Sequence, residues 1–137
     1  MKLLLVDDSL AIQESFGSLL EAAPGVRVIG YAEDVAGALA FIAANPPDLI
    51  VLDAKSRGGE LGIDLLRHVR QHHSNIEVVM LSQLNWTAVR RSHLEAGAMA
   101  YFDKGLEFQQ ARDFIADLAN ARSAAAAERE GRADSSE

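Results

Sequence analysis

The alternation of short apolar runs with amphipathic segments constrains the fold of this chain more than any other feature. Runs of aliphatic and β-branched residues, bounded by turn residues, predict strands over 2–6, 26–31, 48–52, 76–81 and 99–102. Apolar residues at helical spacing predict helices over 10–22, 35–44, 62–73, 87–96 and 107–121. Because neighbouring parallel strands are joined by a crossover, usually a helix, this alternation predicts a parallel sheet with helices on both faces. The expected fold is a three-layer, doubly wound α/β domain.

The composition fits one globular domain with a core of its own. The chain has 137 residues, of which 49% are hydrophobic and 24% charged, values typical of a folded domain. It contains no cysteine, which excludes disulfide frameworks, zinc ribbons, iron–sulfur clusters and cysteine nucleophiles. With 13 basic and 20 acidic residues the formal net charge is −7, and the basic residues are scattered. We therefore expect no direct binding to nucleic acid, which requires clustered lysine and arginine.

The apolar runs are too short to cross a membrane. The longest, over 3–6, 49–52 and 78–81, have four residues each, whereas a membrane-spanning helix needs about 18. Met1 and Lys2 lead into the first run without the apolar segment of a signal peptide, so we expect a cytoplasmic protein with no membrane contact. After residue 121 the chain has no large apolar side chain. We expect a domain over 1–121 and an alanine-rich, charged tail over 122–137 that is frayed or disordered.

Polar residues follow four of the five predicted strands. Asp7 and Asp8 follow the first strand, Asp53 the third and Ser82 the fourth, and Lys104 stands just after the fifth. Because ligands of open parallel sheets bind beyond the carboxyl ends of the strands, these residues are the first candidates for a functional site. Polar groups placed directly after buried strands are costly unless they are paired or face a cleft. We therefore expect three carboxylates, a hydroxyl and an ammonium group to converge.

These groups suit a magnesium and phosphoryl site. Mg²⁺ prefers oxygen ligands and is usually shared among one or two carboxylates, water and phosphate. Asp53 follows the middle strand, where its carboxylate can act as a nucleophile toward phosphorus if a metal and Lys104 offset the charge repulsion. Ser82 can donate a hydrogen bond to a phosphoryl oxygen. The alternative is that the aspartates are turn residues and Lys104 is their salt-bridge partner.

Four segments resemble a known family. They are LLLVDDS at the start, PPDLIVLD ending at Asp53, VVMLS ending at Ser82, and EAGAMAYFDK ending at Lys104. In this order they resemble the receiver domain of bacterial two-component response regulators, whose fold is that of the chemotaxis response regulator. The resemblance covers about residues 2–121. It implies a flavodoxin-like (βα)5 fold with strand order 2-1-3-4-5 and makes 1–121 a receiver, or phosphoacceptor, domain.

The resemblance also implies roles for the site residues. Asp53 would accept a phosphoryl group from a phosphohistidine on a sensor histidine kinase or a phosphotransfer protein. Asp8 would bind Mg²⁺ directly and Asp7 mainly through water, with Asp53 and the backbone carbonyl of Lys55 completing the protein ligands. Lys104 would pair with Asp53 and then with the phosphoryl group. Such a domain catalyses only its own phosphorylation and dephosphorylation, so we do not expect an enzyme acting on other substrates.

The family further implies a conformational switch made by Ser82 and Tyr101. Phosphorylation would draw Ser82 toward the phosphoryl group and favour an inward Tyr101, which reshapes the surface of the fourth helix, fifth strand and fifth helix. A downstream protein partner would bind this surface, and a phosphorylation-dependent homodimer is compatible with it. Arg90, Arg91 and Arg112 are expected on this surface, either in contact with the partner or solvated.

The chain departs from the family pattern at several positions near the site. The loop over 54–61 reads AKSRGGEL, where the family usually has a Met-Pro pair and one residue fewer. Gly105 replaces a proline that commonly has a cis bond, so we expect a trans bond here. Gln83 replaces a small residue and is expected to restrict phosphodonors. Leu84 and Lys55 flank the path of the hydrolytic water in the family, and since Leu84 cannot orient water by hydrogen bonding, we expect slow self-dephosphorylation.

Three other functions are alternatives to that of a phosphorylated response regulator. A phosphorylation-independent adaptor with a receiver-like fold is the main alternative, because the altered loop and Gln83 bear on the phosphorylation site. An aspartate-nucleophile phosphohydrolase usually carries two aspartates separated by one intervening residue on a strand, together with added cap segments, and this sequence shows neither feature. A DNA-binding regulator would need a helix-turn-helix, for which no residues remain after 121. The presence of all five site residues favours the response regulator.

Overall fold

The computed structural model describes residues 1–55, 62–84 and 86–135, with side chains up to residue 132. Its strands are β1 (Lys2–Val6), β2 (Arg27–Ala32), β3 (Leu49–Leu52), β4 (Glu77–Ser82) and β5 (Ala100–Asp103). Its helices are α1 (Leu10–Glu21), α2 (Val35–Ala44), α3 (Gly62–His72), α4 (Thr87–Glu95) and α5 (Phe108–Ser135). The predicted bounds differ from these by one residue at most, except at the end of α5. Most of the unusual loop, residues 56–61, lies outside the described residues.

The five strands form one parallel sheet in the order β2-β1-β3-β4-β5. This confirms the predicted doubly wound topology. β1 and β3 lie next to each other in the middle, with Val6 opposite Leu52. Their apolar residues are buried on both faces, as expected for a parallel sheet covered by helices.

Alternate residues of the strands point into two cores, one on each face of the sheet. Leu4 and Ile50 belong to the core covered by α2, α3 and α4. Leu3 and Val51 belong to the core covered by α1 and α5, where Phe16 packs edge-on against Phe108 with 4.6 Å between ring centroids. Because the strands are parallel, their carboxyl ends lie at the same edge of the sheet, between the two helical layers.

The helices differ in how their first turns are capped. The Ser9 hydroxyl accepts a hydrogen bond from the Ile12 N–H and the Asp34 carboxylate accepts one from the Gly37 N–H, so α1 and α2 are capped by side chains. Trp86 occupies the N-cap of α4 and makes no such bond. After α4, Gly97 has φ of 111°, a left-handed conformation that suits glycine at a helix end.

The last helix is longer than predicted. The sequence pattern predicts an end at residue 121, but α5 continues to Ser135. Alanine is the strongest helix former, and four successive alanines follow Ser123. Arg122 joins the extension to the domain through a 3.3 Å ion pair with Asp48. The fraying expected of the tail stays a prediction. None of the helices in the described part of the chain has the length and apolar character that a membrane span requires.

Candidate functional site

Three aspartates meet at the carboxyl edge of the two central strands. Asp7 follows β1 and Asp53 follows β3, and main-chain hydrogen bonds from the Asp7 N–H to the Ala32 carbonyl (3.0 Å) and from the Asp53 N–H to the Val6 carbonyl (3.1 Å) extend the ladders to these residues. Each of Asp7, Asp8 and Asp53 offers a carboxylate oxygen within 4.8 Å of the other two. The backbone of the sheet thus brings the three carboxylates together.

Asp7 is the most enclosed of the three, with 2% of its surface exposed. One carboxylate oxygen accepts a hydrogen bond from the Ser9 N–H at 2.9 Å, and the other lies 2.7 Å from the Lys104 ammonium. Its main-chain carbonyl accepts a hydrogen bond from the Gln13 side chain at 2.8 Å. Burial raises the pKa of Asp7, although the hydrogen bonds from Lys104 and from the Ser9 N–H act in the opposite direction. A further cation beside the cluster would therefore be stabilising.

Lys104 bridges two of the carboxylates. Its ammonium nitrogen lies 2.9 Å from Asp53 Oδ2 and 2.7 Å from Asp7 Oδ2. Burial lowers the pKa of Lys104, but the hydrogen bonds to Asp53 and Asp7 outweigh this effect, and the net pKa is raised. The Lys104 N–H also donates to the Ser82 carbonyl at 2.8 Å, so backbone pairing between β4 and β5 aims the side chain. Lys104 thus remains positively charged between the two aspartates.

Both oxygens of Asp53 have a hydrogen-bond donor. The Lys55 N–H donates to Oδ1 at 3.2 Å and the Lys104 ammonium to Oδ2 at 2.9 Å. The first residue of α3 lies against the same segment, because the Gly62 N–H donates to the Ala54 carbonyl at 2.9 Å. A Cβ atom at Gly62 would lie 2.3 Å from the Asp53 carbonyl oxygen. Only glycine permits this close approach of α3 to the end of β3.

These groups open into a cleft of about 600 Å³, which we call the acidic cleft. The residues that line it come from all the loops beyond β1, β3, β4 and β5: Asp8, Ser9, Ile12, Asp53, Lys55, Ser82, Gln83, Leu84, Lys104 and Gly105. Four positions at which the sequence departs from the family pattern line it: Lys55, Gln83, Leu84 and Gly105. Its polar side chains are two carboxylates, two hydroxyls, an amide and two amines, and the carboxylate oxygens are donors that Mg²⁺ prefers.

Comparison with known proteins identifies the family. The response regulator receiver domain matches residues 3–116. The chain belongs to this family. Receiver domains bind Mg²⁺ through acidic residues, and the aspartate cluster of this receiver domain provides such residues.

Two curated relatives contain a similar segment within a longer chain. The DNA-binding transcriptional activator DevR/DosR of Mycobacterium tuberculosis is 29% identical over 123 residues, which are 90% of this chain and 56% of the relative. A protein-glutamate methylesterase/protein-glutamine glutaminase of Desulfotalea psychrophila is 35% identical over 109 residues, 78% of this chain and 30% of that protein. The chain therefore spans about half, or less, of the length of these relatives.

Solved structures agree with this assignment. The signal receiver domain of the response regulator NarL from Mycobacterium tuberculosis superimposes with a TM-score of 0.77 at 26% identity, covering 87% of this chain and 95% of that one. A LuxR-family two-component response regulator from Aurantimonas sp. SI85-9A1 gives 0.79 at 27% identity, covering 88% and 85%. The flavodoxin-like receiver fold implied by the sequence is thereby confirmed.

The two residues expected to form the switch are buried together. The Ser82 hydroxyl accepts a hydrogen bond from the Leu84 N–H at 3.2 Å, and the Tyr101 hydroxyl donates to the Leu84 carbonyl. Tyr101 is 4% exposed, so its ring points inward in this structure. Burial raises the pKa of the Tyr101 phenol, while a hydrogen bond with Ser82 acts in the opposite direction. Leu84 thus links the serine of the acidic cleft to the tyrosine of the switch.

The three arginines expected on the partner surface have different environments. Arg91 is exposed. Arg112 lies 3.2 Å from the Asp113 carboxylate, whereas Arg90 bonds the Glu107 carboxylate at 2.7 Å and the Tyr101 carbonyl at 3.0 Å. Sequence reasoning missed Glu107 and the role of Arg90, because the two residues belong to different elements and share no motif.

The turn after β5 is stabilised by the Asp103 side chain, a role that the sequence analysis did not predict. No described peptide bond is cis, so the bond before Gly105 is trans as expected. The Asp103 carboxylate accepts hydrogen bonds from the Gly105 N–H at 2.7 Å and the Leu106 N–H at 2.8 Å. This pattern of an aspartate bonding the backbone two and three residues on is typical of turns. The aspartate two residues before Gly105 is a sequence pattern that could have predicted this role of Asp103.

Proposed function

We propose that this receiver domain is the phosphoacceptor of a two-component system, with Asp53 taking a phosphoryl group from a sensor histidine kinase or a phosphotransfer protein. The observation that carries the proposal is the convergence of Asp53 with the largely enclosed Lys104 ammonium group and two further carboxylates at the carboxyl edge of the sheet. A carboxylate is a competent nucleophile when positive charge offsets its repulsion from the incoming anion. Lys104 provides one such charge.

The cluster fits Mg²⁺ as the second source of positive charge. Three carboxylates face one ammonium group, and burial already disfavours the charged form of Asp7. The Asp7, Asp8 and Asp53 carboxylates and the backbone carbonyl of Lys55 are the proposed protein ligands, since oxygen donors suit this ion. Mg²⁺ bound there supplies charge that balances the phosphoryl oxygens.

The chain's own residues would carry the transfer as follows. An Asp53 carboxylate oxygen forms a bond to phosphorus while the bond from phosphorus to the donor's imidazole nitrogen breaks, and the electron pair of that bond stays on nitrogen. The product is an acyl phosphate on Asp53. Lys104 keeps its hydrogen bond to the site and pairs with the phosphoryl oxygens, and the Ser82 hydroxyl donates to one of them. The domain would thus modify itself and act on no other substrate.

The proposed output is a change at Ser82 and Tyr101. A phosphoryl group adds a dianion with three acceptor oxygens. The Ser82 hydroxyl, which accepts a hydrogen bond from the Leu84 N–H, can donate its own proton to one of these oxygens, and a movement of Ser82 toward that oxygen would shift Leu84. Because Tyr101 also bonds Leu84, a movement of this residue alters the environment of the tyrosine. The surface of α4, β5 and α5 would then bind a protein partner, or a second copy of the chain, with an affinity that depends on phosphorylation.

We also propose that the phosphoryl group is long-lived. Leu84 and Lys55 line the cleft, and the Leu84 side chain cannot accept or donate a hydrogen bond to an attacking water. Replacing Leu84 by asparagine should therefore shorten the lifetime of the acyl phosphate, followed by intact mass after removal of the donor. A wild-type lifetime of seconds that the L84N change leaves unaltered would contradict this part of the proposal.

The decisive experiment is phosphorylation by a small donor. The chain is incubated with Mg²⁺ and acetyl phosphate, and its intact mass is compared with those of Asp53→Asn and of Asp117→Asn, an exposed aspartate on α5. One added phosphoryl group in wild type and D117N, absent in D53N and after Mg²⁺ removal, supports the proposal. No addition from small donors or kinases would favour the phosphorylation-independent adaptor. Sustained phosphate release from an unrelated phosphoester would favour a phosphohydrolase.

A further inference from the structure

The inward ring of Tyr101 contacts two side chains of α4. The guanidinium carbon of Arg90 is 5.4 Å from the ring centroid on one side. The ring of His93 meets it edge-on, at 5.4 Å between centroids and an angle of 64°. Arg90 and His93 are three residues apart and share one face of the helix. Contacts from α4 therefore accompany the inward position of the tyrosine.

The Arg90 guanidinium is itself held in place by two acceptors. One nitrogen donates to the Tyr101 carbonyl at 3.0 Å, and the other donates to Glu107 Oε1 at 2.7 Å. The same Glu107 oxygen accepts a hydrogen bond from the Asp103 N–H at 3.0 Å. Glu107 thus joins α4 to the end of β5 immediately before α5 begins. The guanidinium cannot leave the tyrosine without giving up these bonds.

The contacts of Arg90 differ in their dependence on the conformation of Tyr101. The bond to the Tyr101 carbonyl involves the main chain and is independent of the side-chain rotamer. The contact with the ring depends on where the ring lies. A cation over an aromatic face is attracted by the ring's charge distribution, more strongly where water is partly excluded. Arg90 therefore favours the inward ring over an outward one.

We infer that Arg90 is a positioning residue, which holds Tyr101 inward through its Glu107-anchored guanidinium and so sets the switch equilibrium of this receiver domain. The inference rests on the proposed function, in which phosphorylation favours the inward state. By thermodynamic linkage, a residue that favours the inward state also strengthens binding of a phosphoryl group, or of its mimic, in the acidic cleft. Removing Arg90 should weaken that binding although Arg90 does not line the cleft.

The chain offers a matched control next to Arg90. Arg91 is an exposed arginine on the same helix, and its replacement removes the same charge. Glu107→Gln provides a second, milder variant, because it leaves Arg90 in place and weakens its anchor. Arg90→Lys keeps the charge but loses the second nitrogen donor. Compared with Arg90→Ala, these three variants separate the positioning effect of the guanidinium from a general effect of charge.

The experiment measures beryllofluoride binding with Mg²⁺, as a mimic of the phosphoryl group on Asp53, together with NMR of tyrosine-labelled chain. There are two tyrosines, and Tyr31→Phe assigns the Tyr101 signals. We expect Arg90→Ala to weaken beryllofluoride binding by about fivefold and to move the Tyr101 signals away from those of the inward ring. Glu107→Gln should have a smaller effect in the same direction, Arg90→Lys should recover part of the affinity, and Arg91→Ala should match wild type.

Equal affinities and equal Tyr101 signals in wild type, Arg90→Ala and Glu107→Gln would overturn the inference. An equal loss in Arg91→Ala would also overturn it, since the effect would then be one of charge alone. If wild type fails to bind beryllofluoride at all, the proposed function fails instead. The Tyr101 signals of the ligand-free variants still test Arg90 in that case, and their spectral dispersion reports whether each variant is folded.

Discussion

In the acidic cleft the functional side chains follow from main-chain pairing, whereas on the neighbouring face of α4 and β5 they depend on other side chains. Asp53 and Lys104 each extend from a backbone hydrogen bond to an adjacent strand, to Val6 and Ser82 respectively. On the other face, the Tyr101 ring contacts the side chains of Arg90 and His93. Arg90 in turn forms an ion pair with Glu107. The first arrangement is as rigid as the sheet. The second can change without breaking it.

The helices next to these two regions show the same difference. α3, which abuts Asp53, buries Gly62, Leu65, Leu66 and Val69. α4 buries His93 alone, and Trp86 at its N-cap contributes no side-chain bond. Among the described residues, His93 Nε2 is the buried side-chain polar atom that has no hydrogen-bond partner, a state that costs free energy. A segment with few buried apolar contacts opens at a lower free-energy cost than the core, so α4 suits the proposed switch.

The largest expected effect concerns Lys104, the cation that bridges two carboxylates of the cluster. Lys104→Met removes the partner of Asp7 and Asp53, and we expect phosphoryl uptake from a small donor to fall by about 100-fold or more, the range for loss of one electrostatic stabiliser. The initial rate of mass increase measures this effect, with exposed Lys2→Met as the control. Uptake within a few-fold of wild type would show that Lys104 is dispensable.

The rigidity of the cleft is tested at Gly62. Because a Cβ here would lie 2.3 Å from the Asp53 carbonyl oxygen and 3.1 Å from the Ala54 Cα, Gly62→Ala should lower the free energy of unfolding by about 1–3 kcal/mol, as overpacking does. Urea unfolding followed by circular dichroism gives the value. Gly131→Ala, where a Cβ would meet nothing within 4 Å, is the matched control and should cause no loss. A neutral Gly62→Ala would mean that the end of β3 yields easily.

The side-chain network is tested by removing one hydroxyl. Tyr101→Phe keeps the ring beside Arg90 and loses the hydrogen bond to the Leu84 carbonyl, so we expect a loss of about 1 kcal/mol in the free energy of unfolding. Tyr31→Phe, at a tyrosine that is 47% exposed, should change much less. Similar losses in the two variants, measured by urea unfolding, would indicate that the buried bond contributes nothing specific.

The smallest expected effect is a pH dependence at Glu107. The hydrogen bond from Arg90 comes first among the causes that hold the pKa of Glu107 below its ordinary value of 4.5, followed by that from the Asp103 N–H. A carboxyl with a lowered folded-state pKa contributes stability above its ordinary pKa and loses it as the pH falls through the folded-state pKa. The pair is partly exposed, so we expect less than about 1 kcal/mol.

The comparison of wild type with Glu107→Gln checks this sign. The difference in unfolding free energy should be constant at neutral pH and shrink at pH values below the ordinary glutamate pKa. A difference that grows on acidification would contradict the assigned direction.

The parts of the molecule that follow from main-chain pairing were the parts predictable from sequence. Period-two and period-3.6 patterns depend on neighbours along the chain, so nine of the ten elements were predicted to within one residue at each end. A polar residue directly after a buried strand must lie at the sheet's carboxyl edge. That single rule placed Asp53 and Ser82 at the acidic cleft and Asp7 beside it.

What the sequence did not reveal depends on contacts between distant side chains. The bond from Arg90 to Glu107 joins a helix to a later loop, and nothing in either segment signals the other. The inward Tyr101 contacts the Leu84 carbonyl and the side chains of Arg90 and His93. The continuation of α5 to Ser135 reflects alanine's helix propensity and an ion pair to Asp48, which outweigh the lack of large apolar residues.

Locating the phosphoryl group on the chain tests the role of Asp53 without a variant. After phosphorylation by acetyl phosphate with Mg²⁺, borohydride reduces an aspartyl phosphate to homoserine, and peptide mass spectrometry identifies the altered residue. We predict that Asp53 alone is converted, while Asp7 and Asp8, the other carboxylates of the cluster, remain aspartates. Conversion of either of these residues instead, or of none in a chain that has gained phosphoryl mass, would contradict the assignment of Asp53 as the phosphoacceptor.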